Sequence, residues 1–131
     1  MKKNNYFPMP NEIFWLGLSS GEIAVYSYLM SCEDRKTYQC YPSYNTIGTA
    51  LKMSKKTVMK YVKSLEEKCL ITTEHTTATL KSGQKQNGNL RYTIRPIKEA
   101  REHFYRQQMI KLEFDLKNKN KTFLKEKNRA V

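Results

Sequence analysis

Ser43-Tyr-Asn-Thr-Ile-Gly-Thr-Ala-Leu-Lys-Met-Ser-Lys-Lys-Thr-Val-Met-Lys-Tyr-Val-Lys-Ser-Leu-Glu-Glu-Lys-Cys-Leu-Ile71 is the stretch that decides the fold. It holds two short helical patterns. Ile47, Ala50 and Leu51 fall at i, i+3 and i+4 and share one face of the first. Ser43 is placed to cap that helix. Lys52 and Met53 make a tight turn, and Ser54 offers a second cap. Val58, Val62 and Leu65 recur at i, i+4 and i+7 as the apolar stripe of the second helix. Lys55, Lys56, Lys60 and Lys63 lie off that stripe. The second helix therefore runs from about Ser54 to Lys68 and presents cations.

Helix, turn and helix with this layout is the helix-turn-helix motif. Helix pairs of this kind also occur in all-helical proteins that never touch nucleic acid, and exposed lysines often do no more than solvate a surface. The residues that follow narrow the choice. Leu70-Ile71-Thr72-Thr73 is β-branched and strand-like. Residues 81–89 are polar and rich in turn formers. Leu90, Tyr92 and Ile94 then alternate with Arg91, Thr93 and Arg95, a period of two. A hairpin with a basic tip follows the helix pair.

Three segments carry a resemblance: Tyr41 to Ile47, Leu51 to Val58, and Leu65 to Ile71. Together they resemble bacterial winged helix-turn-helix DNA-binding proteins. The nearest types are small regulators of Gram-positive bacteria and the amino-terminal domains of plasmid and phage replication initiators. Ser54 to Val58 is also similar to the start of the recognition helix in GntR-type repressors. The resemblance spans roughly residues 11 to 95. It implies a mainly α fold with a small β-hairpin, a winged helix-turn-helix to which a long C-terminal helix is added. It also implies double-stranded DNA as partner. Such families carry glycine where Cys69 stands, as a left-handed cap. Cysteine costs about 1 kcal/mol in that conformation, so the helix is expected to end differently.

The composition agrees with a polyanionic partner. Twenty-four Lys and Arg face 12 Asp and Glu in 131 residues, a net charge of +12. Residues 1–42 are neutral, residues 43–80 carry +3 and residues 81–131 carry +9. The positive field begins at the helix pair and grows toward the C-terminus. Cys32, Cys40 and Cys69 are odd in number and show no metal-binding spacing with His75 or His103. With no signal peptide, they point to a reducing cytoplasm without disulfides or zinc. No run of about 18 apolar residues is present to span a membrane.

Three regions follow from this reading: an arm (1–11), the winged domain (12–96) and a basic C-terminal helix (97–131). Pro8 and Pro10 keep the arm extended. Phe7 either docks on the domain or belongs to a disordered terminus. Ile13, Phe14, Trp15, Leu16 and Leu18 form an apolar patch, and Trp15 is read as core. Ser19 and Glu22 have capping-box spacing, opening a helix that runs to about Asp34. Ile23, Tyr26, Leu29 and Met30 lie on one side of it, with Ala24, Tyr28 and Cys32 beside them. Thr37 to Tyr41 is a short strand for the wing to pair with, and Pro42 ends it. After Pro96 a helix runs to about Lys127. Tyr105, Met109, Leu112, Leu116 and Phe123 form a coiled-coil-like seam interrupted by Lys119, with Ile110 and Phe114 beside it. That helix either folds back on its own domain, pairs with a second copy through Tyr105, Met109, Leu112 and Leu116, or meets a membrane or partner with its basic face.

Chemistry is silent. Gly17, Gly21, Gly48, Gly83 and Gly88 build no phosphate loop, and neither histidine has catalytic company. Glu66 and Glu67 read as solvated or paired to lysines. No enzyme, cofactor or metal is expected. The DNA-binding candidates are Ser43, Tyr44, Ser54, Lys55, Lys56, Thr57, Met59, Lys60, Lys63, Lys81, Gln84, Lys85 and Arg91. Lys55, Lys56 and Lys60 suit guanine edges or phosphate. The GntR likeness implies a base or phosphate contact for Thr57 and a groove-facing Met59. Ser43 and Tyr44 suit phosphate, although Tyr44 also suits packing under the turn. The wing residues suit the backbone or minor groove, although Arg91 also suits a water-facing strand position. Two function classes stay open. One is a sequence-preferring DNA-binding protein, either a transcriptional regulator or a replication or transfer factor of a mobile element. The other is a protein-interaction module on the same scaffold.

Overall fold

The computed structural model describes residues 5–129, with side chains at all but 78, 85–87 and 126–129. The first four residues of the arm and the last two of the chain lie outside that range. Pro10 is extended and leads into a 3-10 turn, Asn11–Trp15. With about three residues per turn, Ile13 and Leu16 share one side and face the core. Phe14 and Trp15 point the other way and are 64% and 69% exposed, so Trp15 is not a core residue. The apolar density of this segment gave no sign of which residues face outward.

Helix α1, Ser20–Cys32, opens with the expected capping box. The Glu22 amide donates to Ser19 Oγ at 3.3 Å, and the Ser19 amide donates to Glu22 Oε1 at 3.4 Å. The helix stops two residues before Asp34. Its inward face is Gly21, Glu22, Val25, Tyr26 and Leu29, with Ile23 and Met30 at the margin. Glu22 is 6% exposed and bound to Lys68 Nζ, at 2.8 Å to one carboxylate oxygen and 3.0 Å to the other. Burial opposes its charge, but the Lys68 ammonium and the Ser19 donors outweigh burial and hold its pKa below the ordinary 4.5. This pair ties the start of α1 to the end of the third helix.

Strand β1, Gln39–Cys40, precedes α2 (Tyr44–Leu51) and α3 (Lys55–Glu67). In α2 the buried residues are Ile47 and Gly48, whereas Ala50, expected on the inner face, is exposed. A two-turn helix buries a narrow stripe, and Ala50 falls outside it. The end of α3 departs from expectation in the other direction. Cys69 does adopt the left-handed conformation, φ 64°. The Leu70 amide donates to Leu65 O at 3.0 Å and the Cys69 amide to Glu66 O at 3.1 Å, the paired bonds of a Schellman cap. Leu65 and Leu70 are both buried and supply the apolar contact that goes with that cap. Glu66 is not matched to a lysine: its carboxylate accepts from the Thr73 amide at 3.1 Å and the Thr73 hydroxyl at 2.9 Å.

Strands β2 (Ile71–Glu74) and β5 (Arg91–Ile94) pair antiparallel, and β1 adds to the far edge of β5, giving the order β1-β5-β2. Cys40 sits opposite Tyr92, and Ile71 opposite Ile94. These four side chains are buried, so the sheet closes the core beneath the helices. Beyond that sheet the wing continues as a second ladder, β3 (Thr77–Thr79) with β4 (Lys85–Asn87). Three residues of the run read as a turn, Lys85–Asn87, are therefore strand. The reversal itself lies between Leu80 and Gln84, around Gly83 at φ +84°.

Helix α4, Ile97–Arg129, starts against the domain. Ala100 is buried, and Arg101 donates to both carboxylate oxygens of Glu12, at 3.0 and 3.1 Å. Gly17 has φ +70°, and a Cβ there would lie 3.2 Å from the Phe104 ring, so glycine lets α4 approach. From Tyr105 to Lys125 every side chain is exposed. The helix leaves its domain there and does not fold back on it.

Candidate nucleic-acid interface

The candidate face is built on two serine caps. The Thr46 amide donates to Ser43 Oγ at 3.0 Å, and the Thr57 amide donates to Ser54 Oγ at 3.2 Å. In each cap the threonine hydroxyl also meets the serine hydroxyl, at 2.8 and 2.9 Å. The turn between the helices depends on Lys52, whose φ of 56° is left-handed, and on Gly48. The Met53 amide donates to Gly48 O at 2.8 Å. A Cβ on Gly48 would stand 2.5 Å from the Met53 carbonyl oxygen, a backbone atom that cannot swing aside. Gly48 is thus what lets α3 cross close to α2. Its position midway through an otherwise capped helix was the available signal.

Val58, Val62 and Leu65 anchor α3 in the core. At 100° per residue, Lys55, Lys56, Met59, Lys60 and Lys63 then fall within about 140° of one another on an outer face. All five are exposed. Lys60 Nζ also lies 5.7 Å from the centroid of the Tyr61 ring. Lys52 adds an exposed cation at the turn.

Electrostatically this face runs against helix stability. The N-terminus of a helix carries a partial positive charge and prefers acidic neighbours, worth about 0.3–1 kcal/mol each. The first turn of α3 has no acid and begins with two lysines. Free amide donors, a positive dipole end and two ammonium groups are thus gathered at one exposed point. Such a point attracts anions.

The other candidates divide. Tyr44 is half-buried against the core, and its phenol is pushed up in pKa by burial and then by the Glu66 carboxylate. Its ring is mainly a packing element. Arg91 is bound to the carboxylate of Glu74 across the β2–β5 pair, so its charge is already matched. Lys81 and Gln84 are exposed at the tip of the wing. The Lys85 side chain lies outside the described residues. Among the described residues no group of three potential metal ligands occurs, and no helix is long and apolar enough to cross a membrane. Cys40 is buried, with its thiol pushed up to about 12 by burial and by neighbouring Cys32 and Glu33.

A family model described as a helix-turn-helix domain matches residues 16–71. That segment runs from the residue after the 3-10 turn to the first residue of β2. Among solved structures, a possible transcriptional regulator from Methanosarcina mazei Go1 superposes with a TM-score of 0.50 at 21% identity, covering 79% of this chain and 80% of that one. A MepR–DNA complex from S. aureus covers 91% of this chain and 85% of that one, at 15% identity and a TM-score of 0.42. No curated protein matches in sequence. The fold is a winged helix-turn-helix carrying a long C-terminal helix.

Proposed function

We propose that this chain is a sequence-preferring double-stranded DNA-binding protein that regulates transcription, acting as a homodimer joined through α4. One observation carries the reading: the Ser54-capped start of α3 presents lysines where helix stability favours acids. The helix-turn-helix family match supports it, as does a structural neighbour described as a possible transcriptional regulator.

In this reading α3 lies in the major groove with its first turn toward the bases. Lys55, Lys56 and Lys60 reach guanine edges or phosphate, and Met59 meets a thymine methyl. Lys63 follows the backbone. Ser54 and Thr57 hold the helix end, while Ser43 and Tyr44 bring the start of α2 to a phosphate. Lys81, Gln84 and Lys85 set the wing on the adjacent backbone or minor groove. Arg91 stiffens the wing through Glu74 and makes no direct contact.

Selection of bound duplexes from a random pool tests the reading. The wild-type chain enriches a defined site. Lys56→Ala relaxes one base position at a cost of about 1–3 kcal/mol, whereas Lys81→Ala weakens all sequences alike. Equal, sequence-independent losses from both variants would reduce α3 to a phosphate contact. Genome-wide recovery of bound DNA then places the role. Sites in promoters support regulation, and sites confined to a replication or transfer origin move the protein to an accessory role there.

A further inference from the structure

The face of α4 that holds its own domain differs from the face that carries the apolar seam. Ala100, His103, Phe104, Gln107 and Gln108 line a hollow against Leu16, Leu18 and Leu70, centred on the line of Ala100, Phe104 and Gln107. A helix repeats a direction every three or four residues, so the same line continues through Lys111, Asp115, Asn118 and Thr122. That continuation is polar except for Phe114, seven residues after Gln107, and the domain-binding face ends where the domain ends. The stripe of Tyr105, Met109, Leu112 and Leu116 is centred about 140° round the helix from Ala100, Phe104 and Gln107, with Leu112 nearest, about 80° from Phe104. Its four residues are 60%, 56%, 52% and 52% exposed. A stripe on a new face, beginning where the domain stops, is not leftover core.

We infer that a second copy of α4 packs on this stripe antiparallel, with Tyr105 against Leu116 of the second copy and Met109 against its Leu112. This deepens the homodimer reading above and rests on it. Charge fixes the orientation. Following the spacing of the seam, Glu102 precedes Tyr105 and Lys119 follows Leu116. Parallel helices would set each of these against its own copy, acid on acid and ammonium on ammonium. The antiparallel register sets Lys119 against Glu102 of the second copy, twice by symmetry. Glu102 already pairs with Lys98, but at 3.9 Å and with both side chains more than half exposed, a loose surface pair that Lys119 of the second copy can replace. Arg106 and Glu113 occupy equivalent flanking positions one heptad apart, and flanking positions of this type meet each other across an antiparallel pair. Arg106 thus meets Glu113 of the second copy. Sliding by one heptad sets Glu113 on Glu113 in one direction and Arg106 on Arg106 in the other. One register therefore joins four apolar layers with opposite charges at both ends of the seam and along one flank, while the other flank sets Gln108 beside Asp115 of the second copy.

The surface is adequate. Eight large side chains, each with roughly 100 Å² to cover, and the flanking aliphatic stems approach the ~1,000 Å² of a small specific interface. The pairing also sets the starts of the two helices about 27 residues, or roughly 40 Å, apart along the rod. That is the scale of one turn of B-DNA.

Sedimentation of the full chain without DNA tests this independently of the DNA reading. The proteins are wild type, Glu102→Lys, Lys119→Glu and the double variant, all changed at exposed positions. Wild type is expected to be a dimer at tens of micromolar. Each single change raises the dimer dissociation constant roughly three- to thirtyfold, and the double variant returns to within about threefold of wild type. Four indistinguishable constants would mean like residues face like, and would overturn the antiparallel register while leaving a dimer. A monomeric wild type would overturn the homodimer itself. The swap of Arg106→Glu with Glu113→Arg repeats the test at the flank and must give the same pattern of loss and recovery.

Discussion

Cys69 holds a left-handed backbone at the end of α3 because the Schellman bonds and the Leu65–Leu70 contact outweigh its strain. Cys69→Gly relieves that strain and is expected to raise the unfolding free energy by about 0.5–1 kcal/mol. Cys69→Val is expected to lower it by more than about 1 kcal/mol, because a β-branched residue fits that region poorly. Urea unfolding with unchanged slope checks both, and a destabilised glycine variant would show that the thiol's packing outweighs the strain. Glu22 acts at the same scale but through pH. Its folded-state pKa lies below 4.5, so its contribution is present above that value and is lost as pH falls through the folded-state pKa. Stability of the wild type should therefore drop more steeply between pH 6 and pH 3 than that of Glu22→Gln. At neutral pH the variant should be weaker by about 1–2 kcal/mol, less than for a fully buried pair because Lys68 is one-third exposed. Parallel pH curves for the two proteins would remove the pair from the acid limb.

Among the elements, α3 trades stability for charge. Replacing Lys55 and Lys56 together by glutamate should stabilise the domain by about 0.5–1 kcal/mol through the helix dipole. The same change should weaken duplex binding by more than about a hundredfold. A thermal melt and a binding titration on one preparation check both signs, and a variant that binds as wild type does would detach this turn from the DNA. This helix was legible because its signals are local: Ser54 as cap, Val58, Val62 and Leu65 at helical spacing, and lysines between them. The α1 capping box was legible for the same reason. Phe14 and Trp15 were not, since a dense apolar run in a 3-10 turn gives no period to say which side is inside. Ala50 failed because two turns of helix leave one residue of freedom in the buried stripe. The second ladder of the wing was hidden in polar residues whose pairing depends on the hairpin beneath it. Between the two readings of Arg91, backbone or minor-groove contact and strand position, the sequence gives no choice, because it does not display the cross-strand partner, Glu74.

At the scale of the whole molecule, the charge is graded along the chain and the fold gives that gradient a direction. The neutral first third builds the base of the core, the middle carries α2 and α3, and the wing and α4 hold most of the excess. The central claim is that this gradient and the face of α3 meet a duplex. Affinity for DNA measured against salt concentration tests it most directly. With about five phosphates neutralised per domain, log K should fall against log salt with a slope near −4 to −5. Reversing Lys55 and Lys56 to glutamate should reduce that slope by about two. An affinity that stays flat between low and physiological salt, or a slope untouched by the reversal, would contradict the account.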